Sequence, residues 1–524
     1  MTNVMLAQII IPFPFNFFIF SLYIYIYIYT MSNDSFQDKE LAILREAVDK
    51  AEERAGKKIA QSEDVKKIMS IVENFLRAKK LVCYGGTAIN NILPLQDQFY
   101  NKNIEIPDYD FYSSTALAHA KELADIYNKA GYEEVTASAG VHHGTFKVYV
   151  NFIPVADITQ LTPELFKAVK KEAIMVNGIL YAPPDFLRMA MYLELSRPDG
   201  DVSRWEKVLK RLILLNKNYP IKDERCKYDT FMRDFTTKTK PDKTRQIYET
   251  IRDSIIDQGL VFFGSYANSL YSRYLPKKLR KKFLSVPDFD VLSEDPETSA
   301  IIIKERLLDE GEKDIKIIKK PGIGEVIAPH YEIIVGKETV CFIYKPLACH
   351  SYNTIKIGRN IIKVATIDTM LSFYLAFLYA DRPYYDKNRI MCMAKYLFLA
   401  QSKNRLQQKG LLKRFSINCY GHQETLDEIR AEKTRKFKEL QNQRGSKEYE
   451  EYFLRYIPAE KKKTTTKAKK GKTTKKGKIA KKGKTAKKGK KKSKNTKKIR
   501  LTNNKNTKKI RVKKRKTGVL NIER

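Results

Sequence analysis

Three things are scarce in this chain of 524 residues. The first is clustered metal-ligating sulfur and imidazole. The six cysteines (83, 226, 341, 349, 392, 419) and six histidines are scattered, with no Cys-x-x-Cys and no shared ligand spacing. That argues against a structural zinc site and for a reducing compartment. The second is charge at the start, since residues 1–30 carry none. Met5 to Tyr29 is long enough to span a bilayer, but no basic segment precedes it, so a secretory signal fits badly. Tyr23 to Tyr29 alternates tyrosine with isoleucine, whose codons TAT and ATA together make an AT repeat, and Met31-Ser32-Asn33-Asp34 then opens an ordinary polar start. The expectation for 1–30 is translated upstream sequence, with a membrane anchor as the alternative. The third is acid near the end: from Lys461 to Ile522 there are 30 Lys and Arg and no Asp or Glu.

What is present divides unevenly. Residues 1–459 hold 68 basic against 58 acidic residues, so most of the net charge of +39 sits in the tail. A polycation of that density attracts phosphate polymers whatever their sequence. With Lys-Lys-Gly-Lys units, an Asn-Thr-Lys-Lys-Ile-Arg doublet and few apolar groups, 459–524 is expected to be a disordered tail. The rest is too long for one core. Helices are expected over 36–56 and 63–79, a strand at Leu81–Tyr84, a helix over Thr87–Leu93, a strand at Asp108–Tyr112, a helix over Leu117–Ala130, a long strand or hairpin arm over Thr145–Ile158, and a helix over Asp185–Ser196. Ser203 with Glu206 three residues on reads as a capping box that starts the next helix.

The order then repeats. Phe263-Gly264-Ser265 follows a strand as Tyr84-Gly85-Gly86 does, Pro287-Asp288-Phe289-Asp290 matches Pro107-Asp108-Tyr109-Asp110, and Asp386 to Arg389 matches Asp201 to Arg204. Offsets of 179, 180 and 185 residues favour duplication. The fold expected is α+β, two tandem units of mixed sheet flanked by helices. Their bounds are 36–220 for the first, 221–245 for a connection, 246–405 for a degenerate second unit and 406–458 for a charged helical segment.

In a strand, residues i and i+2 share a face, so Asp108 and Asp110 project together, and Asp157 can join them from a neighbouring strand. Three carboxylates around one point repel unless cations sit between them, and hard oxygen ligands suit two Mg²⁺ or Mn²⁺ ions. The Gly85-Gly86-Thr87 turn lets backbone N–H groups approach phosphates at a helix N-terminus. Arg204, Lys207 and Arg211 recur along one helix face, and Arg204 and Lys207 are taken as triphosphate ligands. In the second unit no third carboxylate follows Cys341-Phe342-Ile343, so that copy is expected to be inactive.

The stretches Tyr84-Gly85-Gly86-Thr87-Ala88-Ile89-Asn90, Pro107-Asp108-Tyr109-Asp110 and Arg197 to Lys207 resemble the poly(A) polymerase catalytic subunits of giant DNA viruses such as mimivirus, within the polymerase-β-like nucleotidyltransferase superfamily. The resemblance covers about 36–400. It implies template-independent transfer of AMP from ATP to RNA 3′ ends, with Asp108, Asp110 and Asp157 holding two metal ions and Gly85 and Gly86 the triphosphate. It also implies a virion or viral-factory location in the host cytoplasm, no membrane, and assembly as a homodimer or with a cap-methylating processivity partner. The alternatives are a CCA-adding or uridylyl enzyme, or a non-catalytic basic protein that binds nucleic acid.

Overall fold

The computed structural model describes helical residues at 36, 38–54 and 56, residues 62–458 apart from 102–103, 222–225, 227–234, 236–240, 281–282, 284–285 and 325, and two short strands beyond 511. The apolar stretch 1–30, most of the 221–245 connection and most of the tail lie outside the described residues. Residues Met1–Lys461 form one unit and Lys462–Arg524 another. Within the second, Val512–Lys514 pairs antiparallel with Leu520–Ile522, a short hairpin where the Lys-rich composition predicts no regular structure. No helix among the described residues is long and apolar enough to cross a membrane.

The first half begins with α1 (Glu63–Lys79), whose buried Val65, Ile68, Met69, Val72, Phe75 and Leu76 follow the three-to-four spacing of one helix face. Then come β1 (Val82–Cys83), α2 (Gly85–Ile92), β2 (Tyr109–Ser113), α3 (Ala116–Lys129), β3 (Val135–Ala139), β4 (Thr145–Val150), β5 (Ile153–Gln160), α4 (Pro163–Lys171), β6 (Ile174–Val176), β7 (Ile179–Tyr181), α5 (Pro184–Leu195) and α6 (Trp205–Asn218). The stretch 145–158, expected as a long strand or hairpin arm, is β4 and β5, reversed at Asn151 and Phe152, both with positive φ. In β4, Phe146, Val148 and Val150 are buried while Lys147 and Tyr149 stand on the other face.

The second half contains α7 (Pro241–Asp257), β8 (Val261–Phe262), α8 (Ser265–Tyr271), β9 (Phe289–Leu292), α9 (Pro296–Asp309), β10 (Ile315–Lys320), β11 (His330–Val335), β12 (Glu338–Tyr344), β13 (His350–Ile357), β14 (Asn360–Ala365), α10 (Ile367–Phe377) and α11 (Lys387–Lys403). Helix α7 starts at Pro241, inside the stretch read as a connection. The segment read as charged helix holds β15 (Cys419–Tyr420), α12 (Leu426–Leu440), α13 (Lys447–Phe453) and β16 (Arg455–Tyr456).

The sheet orders carry the duplication. The first sheet runs β16-β3-β4-β5-β2-β1-β7-β6 and the second β10-β11-β12-β9-β8-β14-β13-β15. Seven strands recur in the same lateral order and with the same mixture of senses: β2–β5 and β9–β12 are parallel, as are β1–β7 and β8–β14, while β1–β2, β8–β9, β4–β5 and β11–β12 are antiparallel. The eighth strands come from the C-terminal segment and cap opposite edges: β15 extends β13, and β16 extends β3. The halves meet through equivalent helices, α5 and α10, with Phe186 edge-on to Tyr379 and the Ser351 N–H donating to the Ser196 carbonyl at 2.8 Å. A buried apolar cluster runs through both sheets.

Two further expectations are corrected. Ser203 does not cap α6: Asp201 accepts from the Ser203 N–H, a single 3₁₀ turn follows, and α6 begins at Trp205 without a side-chain cap. Asp binds its own following N–H groups at least as readily as Ser, so the cap fell two residues earlier. Against the expectation of a reducing compartment, four cysteines are paired, Cys226 with Cys392 and Cys349 with Cys419, at Cα separations of 5.5 and 5.2 Å. Spacing along the chain says nothing about partners 166 and 70 residues apart that the fold brings together.

Candidate active site

The glycine turn is dictated by its neighbours. Gly85 opens α2 with φ of +73°, a region that L side chains rarely adopt, and a Cβ there would lie 2.5 Å from Asp110 Oδ2. A Cβ on Gly86 would run into the Tyr100 hydroxyl and approach the Arg211 guanidinium at 3.0–3.1 Å. Backbone N–H groups of the first turn of α2 therefore sit beside an aspartate on one side and an arginine on the other, with nothing bulkier than hydrogen between. Thr87 is buried, and its hydroxyl donates to the Asp108 carbonyl at 2.7 Å, tying the aspartate-bearing loop to the helix.

The three aspartates come together. Asp108 immediately precedes β2, Asp110 lies on it, and Asp157 on β5 is the direct register partner of Asp110. The Tyr84 N–H donates to the Asp110 carbonyl at 2.9 Å, which fixes β2 against the turn. Burial, then the charges of Asp108 and Asp157, push Asp110 up to about 7 from an ordinary 3.8. Burial and Asp157 raise Asp108 as well, partly offset by Lys147. Carboxylates grouped this way are hard oxygen donors, of the kind that fit Mg²⁺ or Mn²⁺.

One cation touches the group. Lys147 on β4 is the register partner of Asp157, and its ammonium is ion-paired with Asp157 Oδ2. No sequence signal marked Lys147, because pairing register across a hairpin is not readable from spacing. Of the helical basic face, Arg204 is exposed at the α6 N-cap, with its Nε 3.0 Å from Glu194 Oε1, and its charge is felt by Asp110. Lys207 is exposed on α6. Arg211 is half-buried against the turn: Nη2 donates to the Tyr100 hydroxyl at 2.6 Å, and the guanidinium lies 4.9 and 5.5 Å from the ring centroids of Phe99 and Tyr100. Among the described residues it makes no ion pair with a carboxylate. Trp205 is structural, with its indole N–H on the Glu194 carbonyl at 3.0 Å and its ring beside Phe415.

A cavity of about 490 Å³ opens beside Asp108, lined by Glu73, Asn90, Asn91, Tyr100 and Tyr181 among others. A larger one, about 590 Å³, lies between α6 and residues 398–415, away from the aspartates.

The second half keeps the turn and two of the three acids. Asp290 crowds Gly264 as Asp110 crowds Gly85, and Asp288 and Asp290 are buried. In register, Asp290 pairs with Phe342 where Asp110 pairs with Asp157, and Phe342 pairs with Glu332 where Asp157 pairs with Lys147. The position of the third acid therefore falls within the Cys341-Phe342-Ile343 stretch rather than after it, and an aromatic ring fills it. His330, Tyr344 and Tyr384 pack around Phe342.

Residues 70–201 match the family model described as "Poly(A) polymerase catalytic subunit". A protein of Acanthamoeba polyphaga mimivirus, described as "Putative poly(A) polymerase catalytic subunit", is 28% identical over 242 residues, 44% of this chain and 39% of the relative. A protein of the same description from African swine fever virus (strain Badajoz 1971 Vero-adapted) is 31% identical over 173 residues, 32% of this chain and 36% of the relative. The chain thus spans less than two fifths of the length of these relatives. The crystal structure of the Megavirus polyadenylate synthase superposes with a TM-score of 0.64 at 22% identity, covering 79% of this chain and 84% of that one. The stretch that carries the glycine turn and all three aspartates is therefore similar to viral poly(A) polymerase catalytic subunits, and 79% of the chain shares the fold of a viral polyadenylate synthase.

Proposed function

We propose that this chain is a template-independent RNA nucleotidyltransferase that transfers AMP from ATP to RNA 3′ ends, a viral poly(A) polymerase. The observation that carries this reading is the row formed by Asp110 and Asp157 in register, with Asp108 alongside, beside a glycine turn too crowded for side chains. Asp108, Asp110 and Asp157 would hold two divalent ions. Bound there, such ions supply activation of an attacking hydroxyl and neutralisation of a leaving pyrophosphate.

The protein groups position rather than react. Backbone N–H groups at Gly85 and Gly86 face the phosphates at the positive end of α2. Arg211, without a carboxylate partner among the described residues, clamps the same phosphates, and Arg204 and Lys207 extend the basic face. Rate then comes from alignment and charge neutralisation, without a protein nucleophile. The second half serves as scaffold, since Phe342 replaces its third ligand. The description of the relatives as catalytic subunits supports assembly with another component, either a second copy or a cap-methylating partner, which light scattering with and without added partner would separate. Their viral origin supports a viral setting for this chain, in the virion or the host cytoplasm.

The test is incorporation of each NTP in turn onto a labelled RNA primer with Mg²⁺ or Mn²⁺. Wild type should extend with ATP. Asp108→Ala should lose at least about a hundredfold in rate, while Asp288→Ala should keep most of it. Extension with CTP or UTP instead would favour the CCA-adding or uridylyl alternatives. Equal loss in both variants would remove the assignment of chemistry to the first half, and no extension with any NTP would leave a binding protein.

A further inference from the structure

Lys147, Asp157 and Asp110 stand side by side on β4, β5 and β2, in direct register on one face of the sheet. The ammonium of Lys147 is bound to Asp157, and its charge also reaches Asp108 and Asp110. Neither of those two makes an ion pair of its own among the described residues. Among the described residues the contact cation of the acid row is thus a side chain, with that of Lys147 35% and that of Asp157 17% exposed.

A lysine in this position can do more than balance charge. An ammonium and a divalent ion cannot occupy the same carboxylate oxygen. The ammonium is a single charge on a flexible four-carbon stem and can withdraw toward solvent without backbone movement. A metal ion held by three carboxylates gains more than one ion pair offers. The second half supplies an internal comparison: where the third acid is replaced by Phe342, the lysine position holds Glu332. The lysine and its aspartate are present together in one sheet and absent together in the other, as expected if the lysine's role depends on that ligand.

We infer that Lys147 is a built-in, exchangeable counter-ion: it holds Asp157 while the site is empty and is displaced from it when a divalent ion binds, so that it sets the threshold for metal occupancy. This rests on the reading of the three aspartates as metal ligands. Lys147 is a positioning residue in this scheme, acting through Asp157.

The experiment is Mn²⁺ binding by the full chain without nucleotide, followed by electron paramagnetic resonance of the free ion, with wild type, Lys147→Met, Lys147→Arg and Asp157→Asn compared. Removing a charge-assisted contact from a ligand should tighten Mn²⁺ binding by about tenfold or more in Lys147→Met. Lys147→Arg, whose planar fork grips a carboxylate more firmly, should weaken it. Melting temperature without metal should fall in Lys147→Met, and the rise on adding Mn²⁺ should be larger than in wild type. Unchanged or weaker binding in Lys147→Met, or weakening in both lysine variants alike, overturns the inference in favour of a purely structural ion pair. Asp157→Asn separates the two layers: if it binds Mn²⁺ as wild type does, the metal-site reading itself fails, whereas loss of binding there with no change in Lys147→Met removes only the exchange role.

Discussion

At the scale of single residues, the site is a set of close approaches. Gly85→Ala combines a positive φ, worth roughly 1–2 kcal/mol against any L side chain, with a methyl 2.5 Å from Asp110 Oδ2. It should lower the rate of nucleotide addition far more than it lowers melting temperature, and measuring both on one preparation checks this. Arg211→Ala should raise the KM for ATP by roughly ten- to a hundredfold, the loss of a charge-assisted contact to phosphate. Asp110, raised to about 7, sets a pH window. A protonated carboxyl does not bind a cation, so Mn²⁺ affinity should climb as pH rises to about 7 and then level off. Stability without metal runs the other way. The protonated form favours the fold, so this contribution is complete below about 4 and is lost as pH rises through 7. Isothermal titration at pH 6 and 8, with melting curves alongside, measures both signs. The grouping of the aspartates beside the glycine turn was legible in the sequence because strand geometry places i and i+2 together and because strand, glycine turn, helix, Asp-x-Asp and a further strand aspartate follow in order. Lys147 and the central place of Arg211 were not, since one depends on hairpin register and the other on how Phe99 and Tyr100 pack.

At the scale of elements, periodic stretches were legible and junctions were not. Helix α1 ends where its pattern ends, whereas the start of α6 moved because Asp201 takes up both the N–H and the hydroxyl of Ser203. The stretch 145–158, expected as a long strand or hairpin arm, is a whole hairpin, because alternation continues on both sides of the turn at Asn151 and Phe152. One element junction has a measurable pH signature. His350 begins β13 at the contact between the halves, beside Phe373 of α10, with both ring nitrogens buried and without a hydrogen-bond partner among the described residues. Burial, then the charge of Arg197, lowers it to about 3 from an ordinary 6.5. The stability it lends is therefore whole above about 6.5 and lost as pH falls toward 3. Melting temperature should drop on going from pH 7.5 to 5, and His350→Phe should flatten that slope.

At the scale of the whole molecule, repeated landmarks 179 to 185 residues apart were enough to read a duplication, and the matching order of seven strands in each sheet has the same origin. What the sequence could not reveal is that the C-terminal segment serves both sheets. Strand β16 lies along β3, with Arg455 opposite Ser138 and Tyr456 opposite Ala137, and the Tyr456 hydroxyl donates to Asp125 at 2.7 Å. Removing the Lys-rich residues after 458 should spare the fold while reducing RNA affinity and the steepness of its salt dependence, as filter binding across a salt series would show. Ending the chain before 455 instead should expose the N–H and C=O groups of β3 and promote association between molecules, which light scattering can follow. The same strand also orders events during synthesis. The ribosome releases the acid row and the glycine turn long before it has made residue 456, so the first half must wait, edge open, until the second half and the returning segment have emerged. A nascent chain that has already exported its aspartates is still an unfinished sheet, and its final strand arrives just ahead of the polycation.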